Sequence, residues 1–166
     1  MNSQFLLEKL ENSCEFKKFM KENPKAYLCS GFFEIGSEEN SGDKYHFDYY
    51  IPSSKKTFSF EMENEIKLVE LERFDEKVLD EVSMKNHFDF DKIKEMISRE
   101  MEFQKIRNKI QRMIFSLQKI EGKDLLLGTI FLSGLGLIKF NFDIAEKRIA
   151  EFEKKSLFDM MKIVKK

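Results

Sequence analysis

Alternating apolar and polar positions predict short strands along most of the chain. Between Lys56 and Glu63, for example, Phe58, Phe60 and Met62 point to one side and the polar residues point to the other. Segments of this kind, bounded by turn-forming residues, predict strands at Ala26–Ile35, Tyr45–Ile51, Lys56–Glu63, Ile66–Glu72, Leu125–Leu132, Leu137–Asp143 and Arg148–Lys154. Leu125–Leu132 is apolar on both of its faces, which is typical of a strand in the middle of a sheet.

Other segments have a helical period. Ser3–Glu22 is predicted to be helical, with a break at Asn12-Ser13 where Ser13 can cap a second short helix. A longer helix is predicted from Phe90 to Glu121, because Asp89 is a good N-cap and Gly122 is a typical residue after a helix end. Ser156 can cap a short C-terminal helix, Leu157–Val164.

The second half of the long predicted helix carries apolar residues at intervals of three and four. Such a seam suggests a binding surface for a partner, either a second copy of the chain or another helix. The seam can equally bury itself inside the molecule if the helix crosses both halves. The residues of this candidate partner surface are Phe103, Ile106, Ile110, Met113 and Leu117.

The order of these elements predicts an α+β fold. Short connections make neighbouring strands antiparallel, so we expect one or two antiparallel sheets with helices on one face and one long central helix. The predicted organisation is a first α+β unit at residues 1–72, a connector at 73–88 and a second unit at 89–166. At 166 residues the two units can also form one compact domain.

A weak internal similarity suggests that the units are duplicated. Leu28–Gly31 resembles Phe131–Gly134, and Tyr50–Glu61 can be aligned with Phe142–Glu153. Each pair follows a predicted helical segment. The sequence therefore predicts two related helix-plus-hairpin units.

Charge and hydropathy exclude some classes of partner. The 29 basic and 30 acidic residues give a formal net charge of −1, so no overall basic field favours nucleic acid. The longest mostly apolar run, Leu125–Ile138, is too short to span a membrane and contains three glycines. The N-terminal residues lack the pattern of a signal peptide, so the expected location is cytoplasmic.

Candidate chemistry centres on two copies of one tripeptide, His46-Phe47-Asp48 and His87-Phe88-Asp89. If they came together, two imidazoles and two carboxylates could bind zinc or iron, which would make the chain a metal protein or an enzyme. The competing interpretation is that the histidines are surface residues and that Asp89 caps a helix. We therefore predict no catalytic residue and no cofactor, with His46, Asp48, His87 and Asp89 as weak metal candidates.

The two cysteines do not make a disulfide framework. Cys14 is predicted on a helix and Cys29 on a strand, and a bond between them in an oxidising compartment is left open. No histidine is placed in sequence to activate Cys29 or Ser30, and packing is the expected role of the Cys29 thiol.

One hairpin resembles a known family. The segment that carries the resemblance is Phe140-Asn141-Phe142-Asp143-Ile144-Ala145-Glu146-Lys147-Arg148-Ile149. It looks like the hairpin of the PepSY family, which runs apolar-x-apolar-Asp-Ala-x-Thr-Gly-x-apolar, although Glu146-Lys147 stands here in place of Thr-Gly. PepSY-like and cystatin-like modules pack a helix on a curved antiparallel sheet, also in tandem copies. The resemblance implies binding or inhibition of partner proteins without catalysis.

The element order is also similar to that of the small acidic dimeric chaperones of type III secretion, although no motif supports this analogy. Together these observations predict a non-enzymatic protein- or peptide-binding or scaffolding module. Its expected partner is a protein, a peptide or a second copy of itself.

Overall fold

The computed structural model describes residues 1–37, 42–75, 77–156 and 158. Three helices and eight strands occupy these residues. In chain order they are α1 (Ser3–Glu11), α2 (Cys14–Glu22), β1 (Tyr27–Gly36), β2 (Lys44–Ile51), β3 (Lys56–Met62), β4 (Ile66–Leu71), α3 (Phe90–Phe103), β5 (Ile110–Ile120), β6 (Lys123–Leu132), β7 (Gly136–Asp143) and β8 (Arg148–Ser156).

All eight strands form one sheet, in the order β4-β3-β2-β1-β5-β6-β7-β8. Every neighbouring pair is antiparallel. Hairpins join consecutive strands within β1–β4 and within β5–β8, and the pairing of β1 with β5 joins the two meanders. The predicted α+β fold with an antiparallel sheet is confirmed, and residues 1–72 and 89–156 contribute to the same sheet.

The helices pack on one side of this sheet, which we call the covered face. Phe19 of α2 lies edge-on to Phe60 of β3, with ring centroids 5.2 Å apart. Phe90, the first residue of α3, contacts Phe33 of β1 at 5.1 Å. These rings belong to a single buried cluster that also includes Leu6, Leu7 and Leu10 of α1. Apolar burial on this face is the main stabilising contribution to the fold.

The predicted break between the first two helices is confirmed. The Ser13 hydroxyl donates to the carbonyl of Leu10 at 2.6 Å and accepts from the backbone N–H of Phe16 at 3.2 Å. One side chain therefore closes α1 and caps α2, which allows the chain to change direction between them.

The predicted long helix from Phe90 to Glu121 is wrong, because α3 ends at Phe103 and β5 begins at Ile110. Lys105 adopts a left-handed φ of 58°. The N–H of Ile106 then bonds to the carbonyl of Met101, and that of Lys105 bonds to Glu102, which is the pattern of a Schellman turn. The helical spacing of the apolar residues was misleading, because alternate residues of the same segment also fit a strand.

The segments that carry the internal similarity lie at different positions in the sheet. Leu28–Gly31 is in β1 at the centre, whereas Phe131–Gly134 runs from the end of β6 into a short 3-10 helix. Tyr50–Glu61 spans the β2–β3 hairpin, and Phe142–Glu153 spans the β7–β8 hairpin at an edge. This alignment therefore does not mark a structural repeat. The predicted C-terminal helix, Leu157–Val164, lies almost wholly outside the described residues.

The connector between β4 and α3 lies beside the part of β1 that extends beyond its pairing with β5. The N–H of Val82 bonds to the carbonyl of Leu28 at 2.9 Å, and the Tyr27 hydroxyl donates to the carbonyl of Leu79. Further along, the N–H of Ser3 bonds to the carbonyl of Phe88 on the covered face. The connector therefore starts at the edge strand β4 and ends on the side of the helices.

The two edge strands of the sheet differ in character. In β4 the apolar side chains Leu68, Val69 and Leu71 are exposed. In β8 most of the side chains are charged, including Glu151, Glu153 and Lys154. Among the described strands, each edge leaves one row of backbone groups without a ladder partner.

Candidate functional site

The face of the sheet opposite the helices, which we call the open face, carries an apolar patch at its centre. Alternation along each strand places its residues there, and all lie outside the core cluster. The open-face patch consists of Phe32, Ile114, Leu125, Leu127, Phe131 and Leu137. It extends over four adjacent strands, β1, β5, β6 and β7, a width of about 14 Å at the usual strand spacing.

Most side chains of this patch are only half-buried, because no helix of the described ranges covers them. Leu137 is the exception, since it is buried between its neighbours. Phe131 lies directly opposite Leu137, and Leu127 lies opposite Ser116. Strand β6 supplies half of the patch. Its residues are apolar on both faces, which is the pattern that predicted a central strand from the sequence.

Polar and charged groups surround the open-face patch. Arg112 of β5 forms an ion pair with Glu34 of β1 across the strands, at 2.6 Å. The Asn141 amide donates to Glu151 at 2.9 Å, beside the exposed Lys139. An apolar centre with a polar rim is the usual anatomy of a protein-binding surface.

A polar cluster adjoins the patch on β1, β2 and β3. The Ser30 hydroxyl donates to the Asp48 carboxylate at 2.7 Å. Burial raises the pKa of Asp48, although hydrogen bonds from Ser59 and Ser30 partly oppose the shift. The hydroxyl of Thr57 is buried and makes no hydrogen bond within the described residues. The hydrogen-bonding capacity of this cluster is therefore only partly used within the described residues.

The structure does not bring the two His-Phe-Asp tripeptides together. His46 lies on the open-face side of β2, where its Nε2 is 3.5 Å from a carboxylate oxygen of Glu63. His87 lies beside α1 on the covered face, with Nδ1 3.5 Å from the Ser3 hydroxyl. Asp89 caps α3 through the N–H of Asp91. Within the described ranges, no group of three or more His, Cys, Asp or Glu side chains is placed to hold a metal ion.

The contact of Ser3 with His87 is structural. Ser3 is fully buried, and its hydroxyl accepts a hydrogen bond from the N–H of Phe88 at 2.9 Å. A substrate cannot approach a hydroxyl in that position. The pair helps to join α1 to the start of α3.

Both cysteines are free thiols. Cys29 forms the bulge in β1, and its thiol donates to the carbonyl of Asp48 at 3.3 Å. Burial raises the pKa of Cys29 to about 11, so the thiol is neutral at physiological pH and a poor nucleophile. Cys14 is exposed at the first position of α2.

The candidate partner surface from the sequence is divided between three environments. Phe103 is 82% exposed at the end of α3, whereas Met113 and Leu117 are 1% and 0% exposed in the core of the covered face. Ile106 and Ile110 are half-buried and line a cavity between α3 and β5. The sequence had suggested one continuous helical seam, and these five residues do not form it.

That cavity, which we call the junction pocket, has a volume of about 640 Å³. Its apolar lining is Met101, Ile106 and Ile110, and its cations are Lys105, Arg107 and Lys109. The spacing of these cations by two residues was visible in the sequence. It was missed because the segment was assigned to a helix, in which Arg107 would point away from Lys105 and Lys109.

Comparison with known proteins adds a likeness of fold. No family model matches the chain, and no curated protein matches it. The chain is similar in structure to a protein described as a “putative lipoprotein” from Clostridium difficile 630, with a TM-score of 0.52 and 11% identity over 85% of this chain and 90% of that one. At this identity the likeness concerns the fold alone.

None of the helices within the described residues is long and apolar enough to cross a membrane.

Proposed function

We propose that this protein is a non-enzymatic module that binds a protein or peptide on its open face. The observation that carries the proposal is the open-face patch, an apolar area with a polar rim on a sheet whose other face is already packed. Contiguous apolar surface that remains partly accessible to solvent is characteristic of interaction sites. The cytoplasmic location expected from the sequence stays a prediction.

The strands below the patch favour binding without rearrangement. β1, β5, β6 and β7 are interior strands that are hydrogen-bonded on both sides. A surface fixed before binding loses little conformational entropy when a partner arrives. Phe32 and Phe131 are the expected anchors, since aromatic side chains near the centre of an interface contribute most to affinity.

We also propose that the chain contains two related structural units. The segments that correspond between them differ from those that the sequence similarity suggested. The strand order is symmetric about the boundary between β1 and β5, with a four-stranded meander on each side. Helices α1 and α2 precede the first meander, and α3 precedes the second. This order supports two related units, β1–β4 and β5–β8, as in tandem PepSY-like or cystatin-like modules.

A selection from a library of random peptides displayed on phage would test the binding function. We expect enriched peptides that bind the wild-type protein, with apolar residues at their centre. Phe131→Glu places a charge in the patch and should weaken their binding at least tenfold, about 1.4 kcal/mol. Phe103→Glu is the control, because Phe103 is exposed away from the open face.

A second variant, Thr129→Lys, guards against a folding defect in the first. Thr129 lies between Leu127 and Phe131 on β6 and is already partly exposed, so we expect normal folding and weakened binding. Failure to enrich any peptide, or equal affinity for the wild type and both open-face variants, would refute the proposal. Light scattering of the same variants tests the homodimer form, in which Phe131→Glu should shift the protein towards monomer.

A further inference from the structure

The junction pocket is a second candidate site, separate from the open face. Its walls are the last turns of α3, the turn at Lys105-Ile106 and the extended segment that leads into β5. Its volume of about 640 Å³ falls within the range of small-molecule sites. The pocket is therefore large enough for a ligand of moderate size.

Hydrogen bonds fix the extended wall in the free protein. The N–H of Lys109 donates to the Ser133 hydroxyl at 2.9 Å, and the N–H of Ser133 donates to the carbonyl of Lys109 at 2.8 Å. The side chain of Asn108 donates to the carbonyl of Ser133 at 2.8 Å. Because these bonds join the segment to the β6–β7 connection, the pocket does not depend on a ligand for its shape.

The charge of the lining selects for anions. Its lining holds three cations, Lys105, Arg107 and Lys109, and one carboxylate, Glu102, which gives a formal excess of two positive charges. No ion pair neutralises any of the three cations in the part of the chain that the structure describes. Such an excess is local, because the whole chain has a formal net charge of −1.

The floor of the pocket is apolar. Met101 is buried at its base, and Ile106 and Ile110 are half-buried beside it. A phosphate or a nucleic-acid backbone would leave this surface unused, and an uncharged apolar ligand would leave the cations unpaired. An anion on a hydrocarbon chain satisfies both parts of the lining.

We propose that the junction pocket binds a small amphipathic carboxylate, with its head group at Arg107 and Lys109 and its hydrocarbon chain against Met101, Ile106 and Ile110. The inference does not rest on the proposed function, since the open face lies on the other side of the sheet. The proposal assigns a small-molecule ligand to Ile106 and Ile110, which the sequence analysis had placed on a surface for a protein partner.

Isothermal titration calorimetry with three probes tests each part of the lining. Octanoate has both the charge and the chain, 1-octanol has the chain without the charge, and acetate has the charge without the chain. We expect octanoate to bind with a stoichiometry of one, and the other two probes to bind at least tenfold more weakly. Absence of octanoate binding, or equal affinity for acetate, would overturn the proposal.

Charge-reversal variants locate the binding. Arg107→Glu and Lys109→Glu should each weaken octanoate binding at least tenfold. Lys92→Glu makes the same change of charge at an exposed position near the start of α3 and should leave the affinity unchanged. Equal weakening by Lys92→Glu, or loss of binding in Phe131→Glu instead, would show that octanoate does not bind in the junction pocket. The Phe131 variant also separates this test from that of the open face.

Discussion

The two faces of the sheet are built from alternate residues of the same strands, yet their side chains are buried to different extents. On the covered face, Phe33, Phe60 and Phe140 are almost completely buried beneath the helices or against neighbouring rings. On the open face, Phe32 of β1 and Phe131 of β6 remain half-buried. The comparison indicates that burial on the covered face supplies most of the stability, whereas the rings of the open face remain partly accessible to solvent.

Removal of one ring from each face is the strongest test of this difference. Phe115→Ala creates a cavity on the covered face, and we expect it to lower the free energy of unfolding by about 3–5 kcal/mol. Phe131→Ala on the open face should cost about 1 kcal/mol, since water already reaches that side chain. Urea denaturation monitored by circular dichroism measures both. Equal losses would mean that the open face is part of the core.

Addition of one methyl group to the covered face is expected to have a smaller effect than removal of a ring. A Cβ at Gly128 would lie 2.7 Å from Phe140 and 3.2 Å from Phe115, both of them buried rings. Gly128→Ala should therefore destabilise the protein by about 1–3 kcal/mol through overpacking. For comparison, Thr129→Ala at the next residue removes side-chain atoms from the open face and should cost less. A stable Gly128→Ala variant would show that the covered face is loosely packed.

Measuring the free energy of unfolding over a range of pH compares the polar cluster of the open face with its apolar patch. We expect a smaller effect than that of ring removal or of Gly128→Ala. Burial raises the pKa of Asp48 above its usual 3.8, so the folded protein binds this proton more tightly than the unfolded chain does. The stability that Asp48 contributes is complete below pH 3.8 and decreases as the pH rises through the folded-state pKa.

Asp48→Asn cannot titrate, so its stability should improve relative to the wild type across that same pH window. Chemical denaturation of both proteins below pH 3.8 and at neutral pH measures the change. Phe131→Ala is the control, because it alters the same face without removing a titratable group. A stability difference between wild type and Asp48→Asn that stays constant with pH would contradict the effect of burial on Asp48.

Local patterns in the sequence predicted much of the sheet. Seven strands were expected close to their observed positions, because period-two alternation and turn residues such as Pro52 and Gly134 depend only on neighbours. β5 was missed, since the apolar spacing of Ile106, Ile110 and Met113 fits a helix as well as a strand. Pairing with β1 and β6 decides between these two possibilities, and such distant contacts cannot be read from a local window.

The candidate sites were less predictable for the same reason. A half-buried phenylalanine and a core phenylalanine look alike in sequence, so Phe32 could not be distinguished from Phe33 before the position of the helices was known. The cations line the junction pocket together with Met101 because the chain leaves α3 at Lys105 in a left-handed turn. Both sites result from contacts between distant parts of the chain.

The contrast between β4 and β8 limits how copies of this protein can aggregate through their edges. If two chains join by adding β4 to β4, the apolar Leu68 and Val69 become shielded and the extended sheet then ends in β8 on both sides. Charged residues such as Glu151 and Glu153 oppose the addition of a further strand there. In such a pair, charge would oppose further growth of the sheet at both of its ends.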